Sequence, residues 1–75
     1  MAKAAKRLVV CVGNAGYEVS LERRKIYVAL ADAKARKAGL LRIVDESGDD
    51  YLYPAEGFIP LSLPLPARRA VLQAA

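Results

Sequence analysis

The chain contains no histidine and no tryptophan, and its 75 residues include one cysteine, one methionine and one phenylalanine. Without histidine, no side chain has an ordinary pKa suited to proton transfer near neutrality, and Cys11 has no imidazole to activate its thiol. A single cysteine excludes a disulfide within the chain. An unpaired thiol fits a reducing compartment, so a cytoplasmic location is expected. Long apolar runs are missing as well. Leu8 to Val12 gives five such positions before Gly13, too few for the roughly 20 that cross a bilayer or for a signal peptide. Nor is there a phosphate-cradling glycine loop, a nucleophile elbow or a spaced set of metal ligands. These absences argue against an enzyme, and nothing in the sequence asks for a cofactor or a metal.

What remains is enough for one small domain over residues 1–75. A core of this size is marginal, because a short chain leaves much of its surface wet. The hydrophobic content of 55% is inflated by alanine, so stability must come from close packing within the chain or against a partner. Charge is spread unevenly. Residues 1–44 carry ten Lys or Arg against Glu18, Glu22 and Asp32, whereas residues 45–75 carry Arg68 and Arg69 against five acids. Such polarity suits an acidic partner or head-to-tail self-pairing. The net +4 is a mild excess for a nucleic-acid binder.

Patterning along the chain predicts mainly strands. After a basic N-terminal tail (1–7), the continuous apolar run 8–12 reads as a strand covered on both faces, and Gly13-Asn14-Ala15-Gly16 as a turn. Residues 17–21 alternate polar and apolar and read as the arm of a long loop or of an irregular hairpin. Lys25 to Leu30 alternates, with Ile26, Val28 and Leu30 on one face and Tyr27 on the other, expected to point outward. Residues 32–38 form a short helix, capped by Asp32 and left through Gly39. Leu40 to Val44 and Tyr51 to Tyr53 form a hairpin whose tip is Glu46-Ser47-Gly48-Asp49. Pro54 opens a one-turn 3₁₀ segment. Phe58 to Leu63 is an edge strand that tolerates Pro60, and residues 64–75 are a C-terminal tail or short helix.

The run from Gly48 through Tyr51-Leu52-Tyr53-Pro54 to Phe58-Ile59-Pro60-Leu61, with the polar turn Glu22-Arg23-Arg24-Lys25 leading into a strand, resembles a Src-homology-3 type barrel. The resemblance covers about residues 8–63. It implies an all-β, five-stranded barrel with a short helical insertion between strands 2 and 3. Pro54 would match the family's proline, and Phe58-Ile59 its aromatic–aliphatic pair with one residue inserted before it. The family's shelf for proline-rich peptides, built of tyrosines and a tryptophan, has no counterpart here. Tryptophan is absent, the third strand opens on Leu40-Leu41, and the first carries Val10-Cys11-Val12. The string as a whole also resembles short bacterial proteins, a likeness that supplies no activity.

Several groups carry two readings each. Cys11 is either a reactive thiol or a small buried hydrophobe. Asp45, Glu46, Asp49 and Asp50 are either a cation site, whose spacing departs from the calcium-loop pattern, or a solvated hairpin tip. Tyr17, Tyr27, Tyr51, Tyr53 and Phe58 either stack nucleobases beside Arg23, Arg24, Lys25 and Arg42 or fill the core. The expectation that follows is a small non-catalytic protein-binding module of a bacterial cytoplasm. Its surface would combine Tyr27, Leu40 and Arg42 with Arg23, Arg24 and Lys25. The alternative is a nucleic-acid-binding small barrel using a basic and aromatic face. Weak self-association through an edge at Leu61, Leu63 and Leu65 is a third possibility, and no membrane partner is expected.

Overall fold

β-Branched and aromatic side chains dominate the segments that become strands, and these join in one antiparallel sheet. The computed structural model describes residues 6–74. In chain order the elements are β1 (Lys6–Cys11), β2 (Ile26–Leu30), α1 (Ala33–Lys37), β3 (Leu40–Val44), β4 (Asp50–Pro54), a 3₁₀ turn (Ala55–Gly57), β5 (Phe58–Pro60) and α2 (Leu65–Ala74). Across the sheet the order is β4-β3-β2-β1-β5, every pair antiparallel. The protein is therefore mostly β, as expected.

The expected closed barrel is instead an open sheet, because β4 and β5 each keep one free edge. β5 has only three residues, and Pro60 offers no N–H, which leaves little with which to ladder onto β4. The pairing of β1 with β5 is extended by one carbonyl beyond the strands themselves. The N–H groups of Val12 and Gly13 both donate to the Gly57 carbonyl, at 2.8 and 3.2 Å. A Cβ on Gly57 would stand 2.7 Å from the Gly13 oxygen, so only glycine permits this contact without a backbone shift.

Boundaries moved at both termini. β1 begins at Lys6, so the last two residues of the expected basic tail are strand; residues 1–5 of that tail lie outside the described residues. β5 stops at Pro60 instead of Leu63. The C-terminal segment is a helix that starts at Leu65, with Pro66 in its first turn where a missing N–H does no harm. α1 matches its sequence signals: the Asp32 carboxylate accepts from the Ala35 N–H at 3.0 Å, and Gly39 takes φ +77° just past the helix.

One face of the sheet makes the core. Val9 and Cys11 of β1, Tyr27 and Ala29 of β2, Ile43 of β3, Tyr53 of β4 and Phe58 of β5 are buried together, and Leu21 closes over them from the long loop. Tyr27 meets Phe58 edge-to-face, with ring centroids 6.5 Å apart. Cys11 is fully buried here, the environment of a small hydrophobe. The alternation in β2 is as read, but its sense is reversed. Tyr27 is 5% exposed and Ile26 36%, because the register sets Tyr27 beside Val9, on the inward face. Its hydroxyl finds partners at the rim of the core, which lets an amphipathic ring go inside. The opposite, outer face is partly covered by α2. Val71 and Ala74 share a cleft with Leu8, Val28 and Val44, and Arg68 Nη2 donates to the Lys6 carbonyl at 2.6 Å.

Candidate functional site

The long loop between β1 and β2 returns to the sheet through the basic turn. Leu21, 1% exposed, anchors it, and the Asn14 side-chain amide donates to the Leu21 carbonyl at 2.8 Å. The chain then reverses at Arg23 and Arg24. The Arg24 N–H donates to the Cys11 carbonyl at 2.7 Å and the Cys11 N–H to the Lys25 carbonyl at 2.9 Å. Arg24 takes φ +71°, a left-handed conformation that costs a side-chain-bearing residue about 1–2 kcal/mol. Both arginines are exposed, and neither takes part in an ion pair among the described residues.

The other residues of the expected surface are placed differently. Tyr27 is in the core. Lys25 is engaged: its Nζ lies 2.7 Å from Glu46 Oε1 and 2.6 Å from Oε2, and this hydrogen bond raises its pKa. Arg42 is held on two sides, by Asp32 Oδ2 at 2.9 Å from both Nε and Nη2 and by Asp50 Oδ2 at 2.9 Å from Nη1. The hydrogen bonds it donates to Asp50 and then to Asp32 raise its pKa. Leu40 is half-buried on the outer face. Arg42 pairs with Leu30 at the far end of β2, about 16 Å along the strand from Lys25. The structure therefore brings Leu40 and Arg42 together, and Arg23 and Arg24 together, but not the two pairs.

The acidic hairpin departs furthest from its solvated reading. Asp45 is 7% exposed. Its Oδ1 accepts from the Ser47 hydroxyl at 2.5 Å and the Ser47 N–H at 2.9 Å, and its Oδ2 accepts from the Tyr53 hydroxyl at 2.5 Å. Burial disfavours the charge, yet these donors hold the Asp45 carboxyl below its ordinary pKa. Glu46 accepts from the Tyr27 hydroxyl at 2.5 Å, and that oxygen accepts in turn from the Glu22 N–H at 2.7 Å. The hydrogen bond from Lys25, then that from Tyr27, lowers the Glu46 pKa, while burial above all raises that of Tyr27. The Glu46 N–H also donates to the Ser20 carbonyl at 3.1 Å. Asp45 thus closes the hairpin on itself through Tyr53, and Glu46 bolts the hairpin to the end of the long loop through Tyr27 and Ser20. Only the local part, Asp45 bonding two residues ahead to Ser47, has a sequence signature.

The aromatic set does not assemble into an open platform. Tyr27, Tyr53 and Phe58 are buried, and Tyr17, 42% exposed, lies edge-on to Tyr53 with centroids 5.1 Å apart. Tyr51, 53% exposed, stands alone on the edge strand.

One open surface escaped the sequence reading. On the outer face, Ile59, Val10 and Ile26 lie in register across β5, β1 and β2. Ile59 is 52% exposed, Ile26 36%, and neighbouring Val12 46%. Val10 and Val12 line a shallow cleft together with Arg23 and Arg24. The unbroken apolar run in β1 announced that Val10 would be apolar on the outer side; only the register sets it between Ile59 and Ile26, the latter at the margin of the cleft that α2 lines. Among the described residues no helix is long and apolar enough to cross a membrane. Comparison with models of known protein families, with curated proteins and with solved structures finds nothing that matches this chain.

Proposed function

We propose that the chain is a small non-catalytic protein-binding module that docks through the outer face of its sheet. The observation that carries this reading is the row Ile59–Val10–Ile26, exposed at Ile59 and Ile26 and half-buried at Val10, set beside two arginines that take part in no ion pair among the described residues. An apolar centre with a charged rim is the anatomy of a protein interface. The partner is a segment that supplies apolar side chains for the row and carboxylates for Arg23 and Arg24. Five short strands, a long first loop and a 3₁₀ turn opened by Pro54 support a Src-homology-3-like arrangement, left open between β4 and β5. The docking row lies outside that family's tyrosine and tryptophan shelf, so this step rests on the residues and not on fold analogy.

The test compares the wild-type chain with Ile26→Ser/Ile59→Ser and with Arg23→Gln/Arg24→Gln in capture from native lysate, at low and high salt and with nuclease. A protein partner retained after nuclease and in high salt, and lost with the isoleucine pair, is the expected result. Capture that disappears with nuclease and falls steeply with salt would instead mark the cationic turn as a nucleic-acid contact.

A further inference from the structure

A second site lies at the other end of β1, where the open sheet exposes the edge of its core. The register pairs Arg7 with Ala29 and Val9 with Tyr27, so Arg7 stands on the inward face of a central strand, two residues from buried Val9. Arg7 is itself exposed, so its guanidinium is free to stay hydrated or to answer a carboxylate. Among the described residues Arg7 has none, and neither does Arg36 of α1. Both arginines line one pocket of about 270 Å³, whose apolar lining includes Val9, Ala29, Leu41 and Pro60.

The one acid in that pocket, Asp32, is already committed. It accepts from the Ala35 N–H at 3.0 Å and from Arg42 at 2.9 Å, and the Ala35 bond followed by that of Arg42 lowers its pKa. Arg42 is shared between Asp32 and Asp50, whereas Arg7 and Arg36 take part in no ion pair among the described residues and leave two guanidinium groups open to a ligand. The volume lies just below the roughly 300 Å³ at which drug-sized pockets begin, so a fitting ligand is small. Guanidinium groups take carboxylates in bidentate geometry, and the apolar wall accepts a short aliphatic body.

We propose that this pocket binds a monocarboxylate with a short branched aliphatic chain, its carboxylate held by Arg7 and Arg36 and its alkyl group seated on Val9, Leu41 and Pro60. The ligand is either a free small acid or the C-terminal carboxylate of a peptide ending in an aliphatic residue.

Backbone-amide NMR titration at low salt tests the assignment, with isocaproate, isocaproamide, inorganic phosphate and a tripeptide ending in leucine as probes. Isocaproate is expected to give saturable shifts at Arg7, Ala29, Arg36 and Leu41, and isocaproamide none. Arg7→Gln and Arg36→Gln should each weaken binding about tenfold, whereas Arg69→Gln on α2 leaves it unchanged. All three variants are exposed and are expected to melt with the wild type. Tighter binding of the tripeptide than of the free acid identifies a chain terminus as the source, and the reverse order identifies a small acid. Equal binding of the amide, equal binding of phosphate at the same residues, shifts confined to Arg23 and Arg24, or full affinity in Arg7→Gln would each overturn the site.

Discussion

The acidic hairpin Asp45–Asp50 and the pair Arg23–Arg24 in the turn before β2 look alike as sequence, each a short run of like charge between strands. The fold treats them oppositely. Asp45 and Glu46 are bonded to tyrosine hydroxyls, a serine and a lysine; Asp45 closes the hairpin and Glu46 fastens it to the long loop. Arg23 and Arg24, held out by a turn with a left-handed residue, touch no counter-ion among the described residues. Charge used internally is structural, and charge left over is available to a partner. Density of charge in the sequence does not separate the two.

Asp45→Ala gives the largest contrast. It removes three hydrogen bonds at a site 7% exposed and leaves the buried Tyr53 hydroxyl unpaired. A loss of about 3 kcal/mol is expected, from charge-assisted bonds and an orphaned donor. Asp49→Ala, a few residues along the same acidic run, should stay within about 0.5 kcal/mol, as surface substitutions do. Urea unfolding monitored by tyrosine fluorescence measures both. Equal effects would mean that the hairpin acids act as a mere charge cluster.

Tyr27→Phe probes the second bolt with a smaller change. The ring stays in the core against Phe58, while Glu46 and the Glu22 N–H lose their common partner. A loss of about 1–2 kcal/mol is expected, and Glu46→Gln should be largely non-additive with it, because both variants break one network. Full additivity in the double variant would show that the Tyr27 and Glu46 groups do not act together.

The acid limb of stability reads the same bolt. Glu46 titrates below its ordinary 4.5 in the folded state, so the unfolded chain binds a proton at higher pH than the folded one. The contribution is therefore complete above the ordinary glutamate range and declines as pH falls through the lowered folded value. Glu46→Gln should flatten that decline, leaving the part due to Asp45, whose pKa is also lowered. Thermal melts between about pH 3 and pH 7 give the slope; an unchanged acid limb in Glu46→Gln would contradict the bolt.

Local signals carried most of the element reading. Asp32 and Gly39 bracket α1, Pro54 opens the 3₁₀ turn, and β3 falls where its apolar run lies, because caps, proline and glycine act within a few residues. The failures are all long-range. Whether Tyr27 or Ile26 faces the core depends on which side α2 and the long loop cover, information that alternation alone lacks. The partners of Asp45 and Glu46 lie eight and nineteen residues away in the tyrosines. Closure of the sheet turned on the shortness of β5, which the apolar run to Leu63 concealed. The exposed row and the pocket at Arg7 likewise exist only once β1 is placed between β2 and β5.

Arg24→Gly makes a small expected change in stability, of the opposite sign, and isolates the free side of the contrast. The backbone at φ +71° suits glycine, which relieves about 1–2 kcal/mol of left-handed strain. Added freedom in the unfolded chain costs back roughly 0.5–1 kcal/mol. The hydrogen bond from residue 24 to the Cys11 carbonyl is made by the backbone, so the turn keeps its geometry. The variant should melt at or slightly above the wild-type temperature while losing one rim charge beside Val10 and Val12. If it weakens partner binding without lowering the melting temperature, Arg24 belongs to the docking surface and its conformation is tolerated because the side chain must project there. If melting falls clearly, the guanidinium supports the turn, and the division between charge spent on the fold and charge kept for a partner fails at this residue.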